Sequence, residues 1–202
     1  MDCQNACPAH TPVPEYIRLI QEEKYTEAYL VNRDSNVFPG ILGRVCDRPC
    51  EPACRRNRVE KEPVAICRLK RVTADYKGDI RPFLPKIPEQ KNGKKIALIG
   101  AGPASLTVIN DLAPLGYDLT LYEKESVPAY VIRSQVPSFR LPKEVIDEEV
   151  GYILEMGVHT YFGHTVTSLN KLLSQYDAVF IGTGAPKGRL LKIPGVKHYL
   201  FG

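Results

Sequence analysis

Lys95-Ile96-Ala97-Leu98-Ile99-Gly100-Ala101-Gly102-Pro103-Ala104-Ser105 reads as a strand, a glycine turn and the start of a helix. The apolar run after Lys95 suits a strand buried on both faces. Gly100 permits the tight turn that must follow. Gly102 lets the backbone approach a pyrophosphate, which would rest on the helix N-terminus. The elements downstream repeat the alternation. Tyr117 to Tyr122, Val158 to Phe162 and Ala178 to Ile181 read as strands. Helices are expected from about Ala104 to Leu115, Leu141 to Met156 and Leu169 to Ser174. Such alternation argues for a parallel sheet with crossovers. Glu123, closing the second strand, stands where an adenosine ribose needs an acceptor.

Residues 81–94 carry three prolines and Asn92-Gly93, a composition that makes a stiff, extended connector. The pattern before it is different. Helices are expected from Pro14 to Glu23, Thr26 to Asn32 and Pro63 to Tyr76, separated by turns. The expected organisation is therefore α + α/β. A small all-helical unit spans 1–80, a linker 81–94, and an incomplete Rossmann-like unit 95–202.

The bulk properties exclude several function classes. The chain has 202 residues, 44% hydrophobic and 25% charged, which suits a packed globular protein. A net charge of +4 is too mild for a nucleic-acid binder, although seven basic residues cluster between Arg55 and Arg71. No apolar run is long enough to span a bilayer, and the N-terminus lacks a signal pattern, so a cytoplasmic location is expected. A reducing compartment leaves thiols available to metals.

All six cysteines lie in the first 67 residues: Cys3, Cys7, Cys46, Cys50, Cys54 and Cys67. Thiolates in this number select iron–sulfur clusters or zinc. Zinc modules mostly use Cys-x2-Cys knuckles with nearby histidines, and His10 is the one histidine in this region. The Cys7-Pro8 pair recurs beside cluster ligands. Both points favour iron and sulfide.

The stretches Cys7-Pro8-Ala9-His10, Gly43-Arg44-Val45-Cys46, Pro49-Cys50-Glu51 with Cys54, Glu62-Pro63-Val64-Ala65-Ile66, Gly100-Ala101-Gly102-Pro103 and Gly182-Thr183-Gly184-Ala185 occur in one order. Together they resemble the small (beta) subunit of NADPH-dependent glutamate synthase and its relatives, including the N-terminal part of dihydropyrimidine dehydrogenase. The resemblance implies 4Fe–4S clusters in the helical unit, one or two of them. Cys7, Cys46 and Cys50 would ligate one cluster, and Cys3 and Cys54 the other. The first cluster's fourth ligand is a glutamine in dihydropyrimidine dehydrogenase, at a position near Lys70. Cys67, one helical turn away, is expected to replace it.

The resemblance also implies FAD on Gly100, Gly102, Pro103, Ala104, Ser105, Glu123, Lys124, Arg133, Gly182, Thr183 and Gly184. Three departures bear on that site. Ser105 replaces a third glycine, Pro128-Ala129-Tyr130 stands where a glycine pair is usual, and Arg133-Ser134-Gln135 replaces Arg-Tyr-Gly. The family's Cys-x2-Cys pair upstream of Cys3 and its NADPH domain have no counterpart in these residues. A partner chain is expected to complete the second cluster or the flavin site.

The implied function is an electron-transfer subunit of a larger NAD(P)H-linked oxidoreductase. A stand-alone FAD-dependent reductase and a zinc-stapled interaction module are the alternatives. Arg44, Arg48, Arg55 and Arg68, beside the cysteines, are expected to stabilise a reduced cluster. Asp147, Glu148 and Glu149 are expected to form a solvated helix face.

Overall fold

The structure, a computed structural model, describes residues 1–185. Residues 186–202 at the end of the expected 95–202 unit lie outside the described residues. The N-terminal part is helical: α1 (Asp2–Ala6), α2 (Val13–Gln21), α3 (Tyr25–Ser35), α4 (Pro39–Val45) and α5 (Ile66–Tyr76). Then come β1 (Lys95–Ile99), α6 (Pro103–Leu112), β2 (Asp118–Glu123), α7 (Tyr130–Gln135), α8 (Lys143–Leu154), β3 (His159–Phe162), α9 (Leu169–Leu173) and β4 (Ala178–Ile181). The four strands form one parallel sheet in the order β3-β2-β1-β4.

Strand β1 sits inside the sheet, and Ala97 and Leu98 are fully buried. That is why its apolar run has no polar alternation. Helix α5 starts at Ile66, three residues later than proline placement suggests. A carboxylate from another segment caps its first turn, with Glu51 Oε1 accepting the Cys67 N–H at 3.0 Å. Sequence patterning alone does not reveal such a tertiary cap.

The helical part is not insulated from the sheet. Phe38 and Ile41, around the start of α4, belong to the same buried cluster as Leu98, Leu121, Ile146 and Ile153. A second buried cluster lies within the helical part, around Val13, Tyr16, Cys50 and Ile66. The α4–α5 crossing is close because position 43 has no side chain. A Cβ on Gly43 would stand 2.8 Å from the Arg71 backbone.

The charge run on α8 is not uniformly solvated, which corrects the expectation for one of its residues. Asp147 and Glu148 are exposed, but Glu149 is only 2% exposed. The reason lies in the helical period: Ile146, Glu149, Val150 and Ile153 share the core-facing stripe. Glu149 is tolerated there because three donors meet it. Gly40 N–H and Tyr29 O–H donate to Oε1 at 2.6 and 2.8 Å, and Ile41 N–H donates to Oε2 at 2.9 Å. A sheet-side carboxylate thus caps the start of the helix that leads to Cys46.

Candidate redox centres

Four of the six cysteines, drawn from three segments, lie near enough for their charges to act on one another. Cys7 follows α1, Cys46 ends α4, Cys50 lies in the turn beyond, and Cys67 is in the first turn of α5. All six thiols are free, with Cys50 and Cys67 buried. Tyr16, fully buried on α2, donates to the Ile66 carbonyl at 3.0 Å. Burial pushes its phenol far above the ordinary value, and the charges of Cys50, Cys67, Cys3 and Cys7 add to that push. Its hydroxyl therefore stays protonated and fixed on that carbonyl.

The thiols are held by local hydrogen bonds. Cys46 Sγ accepts the Arg48 N–H at 3.3 Å. Cys7 Sγ lies 3.5 Å from the Thr11 hydroxyl. Burial opposes ionisation of Cys7, yet hydrogen bonds from Thr11 and Ala9, with the charge of Lys70, carry its thiol below the ordinary value. Burial pushes the Cys50 thiol up to about 11, against the pull of Lys70. Burial likewise raises Cys67, with Cys46 adding to the effect and Lys70 and Arg48 opposing it. Among the described residues, no three His, Cys, Asp or Glu side chains close on a single metal ion. Thiols, N–H and O–H donors to their sulfurs and a buried cation nearby are the donor set that a 4Fe–4S cluster takes.

Cys3 also acts on Tyr16 and packs against the buried cluster that contains Cys50. Asp2 pairs with Arg55 at 2.9 Å and with Arg58 at 3.5 Å, tying α1 to the turn that follows Cys54. The arginines expected to face a cluster are mostly engaged elsewhere. Arg44 pairs with Asp75 at 2.5 Å, Arg55 with Asp2, and Arg48 lies 3.8 Å from Glu51. Arg68 is exposed.

In the sheet region, Gly100 N–H donates to the Tyr122 carbonyl at 2.7 Å, and Gly182 N–H to the Ile99 carbonyl at 2.8 Å. Both turns therefore leave the sheet side by side. Gly100 has φ +93°, and a Cβ there would stand 2.6 Å from the Gly182 carbonyl, so only glycine fits. A Cβ on Gly102 would find nothing nearer than 3.9 Å, which leaves an open cradle in front of α6. No side chain caps the N-terminus of α6. Pro103 and Ala104 are exposed at its first turn, and Thr183 and Gly184 are exposed opposite. Glu123 is buried, with Oε2 accepting the Ala101 N–H at 2.6 Å and Oε1 the Glu125 N–H at 3.0 Å. Its remaining lone pairs are free for ribose hydroxyls. This cradle fits the pyrophosphate and ribose of a dinucleotide.

The departures sit at the margins of the cradle. Ser105 is fully buried, its Oγ has no partner, and it lies against the bare Cα of Gly182. The missing side chain at 182 makes room for the extra one at 105. Ala129 adopts a left-handed φ of +55° and donates its N–H to the Ala101 carbonyl at 2.8 Å. Two other expected flavin contacts point elsewhere. Arg133 donates to the Pro128 carbonyl at 2.8 Å and pairs with Asp147 at 2.6 Å, while Lys124 is exposed beside Glu125.

Residues 94–202 match the family model for pyridine nucleotide-disulphide oxidoreductases. The chain belongs to that family. Residues 1–81 match the model of dihydropyrimidine dehydrogenase domain II, a 4Fe–4S cluster domain. The two matches in this order are those of the NADPH-dependent iron–sulfur flavoproteins that the motifs resemble, and they bring a 4Fe–4S cluster and FAD as cofactors. The chain is 37% identical, over 96% of its length, to the NADP(+)-dependent formate dehydrogenase subunit beta of Moorella thermoacetica, covering 31% of that protein. It is 35% identical to the NADPH-Fe(3+) oxidoreductase subunit beta of Geobacter sulfurreducens, over 96% of the chain and 29% of the relative. It is 31% identical to the glutamate synthase [NADPH] small chain of Mycobacterium tuberculosis, over 96% of the chain and 40% of the relative. The chain therefore spans well under half the length of these curated relatives. Among the described residues, no helix is long and apolar enough to cross a membrane.

The burial of two charged side chains was missed by sequence reasoning: Glu149, expected on a solvated face, and Lys70, named as the position near a ligand. Both lie on otherwise apolar helical stripes, and that placement is the signal that could have found them.

Proposed function

We propose that this chain is the electron-transfer part of a larger NAD(P)H-linked oxidoreductase, acting with further subunits. Residues 1–80 hold the cluster, 81–94 connect, and 95–202 carry the flavin. The observation that carries this reading is the grip of the sheet region on α4, the helix that delivers Cys46. Glu149 caps its first turn, and Arg140 donates to the Arg44 carbonyl in its last turn at 3.1 Å. Arg33 on α3 adds a bond to Asn110 on α6 at 2.7 Å. Electron exchange needs a fixed separation between donor and acceptor, and these links hold the two regions as one body.

Bound here, flavin and cluster would supply the redox chemistry, two-electron exchange with a nicotinamide on one side and one-electron exchange on the other. The chain's residues bind and orient them. Cys7, Cys46, Cys50 and Cys67 hold one cluster; Cys3 and Cys54 contribute to another. Gly100, Gly102 and the α6 amides receive the pyrophosphate, with Glu123 on the ribose. Thr11 and the Arg48 amide donate to cluster sulfurs. The names of the relatives, all subunits of NADPH-linked enzymes, support this role.

Cys67→Ala tests the ligand set. Anaerobically reconstituted variant should lose the cluster signal in its electron paramagnetic resonance spectrum and bind less iron, whereas Cys54→Ala should keep that cluster. A full iron complement and unchanged spectrum in Cys67→Ala would remove Cys67 from the proposal.

A further inference from the structure

Lys70 is 6% exposed and lies on the buried stripe of α5 with Ile66, Cys67 and Thr73. Burying an ammonium without an anion costs several kcal/mol, so buried cations are normally paired. Two other buried cations show this pairing. Lys77, with a side chain 5% exposed, pairs with Glu148 at 2.6 Å, and Arg44, 6% exposed, pairs with Asp75 at 2.5 Å. Arg33 donates to the neutral Asn110 side chain and feels the charges of Glu149 and Asp34. Among the described residues, Lys70 has no carboxylate partner. Cys67 lies one turn before it on the same buried stripe of α5, and its charge acts on the Cys7, Cys50 and Cys67 thiols.

Resting on the cluster assignment above, we propose that Lys70 is the buried counter-ion of the 4Fe–4S cluster and sets how readily that cluster accepts an electron. An oxidised core (2+) on four thiolates carries a net charge of 2−. One electron from reduced flavin makes it 3−, and no proton or bond changes place in that step. A nearby positive charge stabilises the more negative state more. The arginines around the site do little of this: Arg68 is exposed, Arg48 is nearly half exposed and lies beside Glu51, and surface charges are screened by solvent. Lys70 sits one turn from Cys67 and is buried, where a charge is screened less than at the surface.

The test is an electrochemical titration of the anaerobically reconstituted full chain, followed by electron paramagnetic resonance at one pH, with iron and sulfide counted first. Lys70→Met should make the cluster at least roughly tenfold harder to reduce, a midpoint about 59 mV more negative for a one-electron couple. Lys70→Arg, which keeps the charge, should stay close to wild type. An unchanged midpoint in Lys70→Met, or an equal shift in Lys70→Arg, would overturn the inference. Should Lys70→Met assemble no cluster, Lys70→Leu gives the same reading from a second neutral side chain that cannot ligate iron. Loss of assembly in both neutral variants with retention in Lys70→Arg upholds the need for charge; loss in all three overturns it. A wild-type chain that binds no iron refutes the cluster assignment itself, whereas a loaded wild type with an indifferent Lys70→Met refutes only the counter-ion.

Discussion

Glu149→Gln removes the charge from the carboxylate that joins the sheet region to α4 while keeping its shape. Burial raises the Glu149 carboxyl from 4.5 to about 7, against hydrogen bonds from Ile41, Gly40 and Tyr29 that pull it down, with Glu148 adding to the rise. The folded state therefore prefers the neutral acid. The preference is worth about 3 kcal/mol at 1.36 kcal/mol per pKa unit. It is fully present below pH 4.5, shrinks as pH rises through the window, and is lost above about pH 7. Glutamine never ionises and lacks this dependence. Its amide nitrogen cannot accept from Ile41 N–H or Gly40 N–H, so one buried donor loses its partner at a cost of about 1–3 kcal/mol. The variant should be the less stable protein near pH 5 and should equal or exceed wild type near pH 8. In a chain of this size about 3 kcal/mol corresponds to roughly 6–12 °C in Tm. Thermal unfolding of both proteins under anaerobic conditions, at matched iron content and several pH values, reads the difference directly. Other titrating groups cancel in that comparison. A Tm difference that stays constant from about pH 5 to about pH 8 would refute the reasoning.

Gly43→Ala pushes a methyl group against the Arg71 backbone where α4 crosses α5. It should lower stability by about 1–3 kcal/mol and speed iron loss to a chelator, read by denaturant titration and by colour decay. Gly182→Ala places its new carbon inside the space of the Ser105 hydroxyl and should destabilise by a similar amount, about 1–3 kcal/mol, with weaker flavin retention. Adding Ser105→Gly should recover much of the loss. Additive effects of the two changes, measured as a double-mutant cycle, would show that the residues do not meet.

Much of this architecture was legible because period and turn chemistry are local. The Lys95–Ile99 and Ala178–Ile181 strands appear with the bounds read from the sequence, and glycine at 100 announces a left-handed turn that the structure contains. The α4 helix was invisible: Pro39-Gly40-Ile41 offers no cap of its own, since the cap is Glu149, which lies 109 residues away from Gly40. Ser105 was read as a defect because its compensation, bare Gly182, lies on the far side of the sheet region in sequence. Arg44 and Arg55 looked like cluster-facing charges by proximity to cysteines, but their carboxylates, Asp75 and Asp2, come from other elements. Long-range pairing, rather than residue type, decided each of these cases.

Iron, acid-labile sulfide, zinc and flavin counted on one oxygen-free preparation test the central claim most directly. The account predicts a brown protein with at least four irons and four sulfides per chain, the complement of the matched cluster domain, and no stoichiometric zinc. A folded, colourless chain without iron, or one carrying zinc on the same thiols, would contradict it.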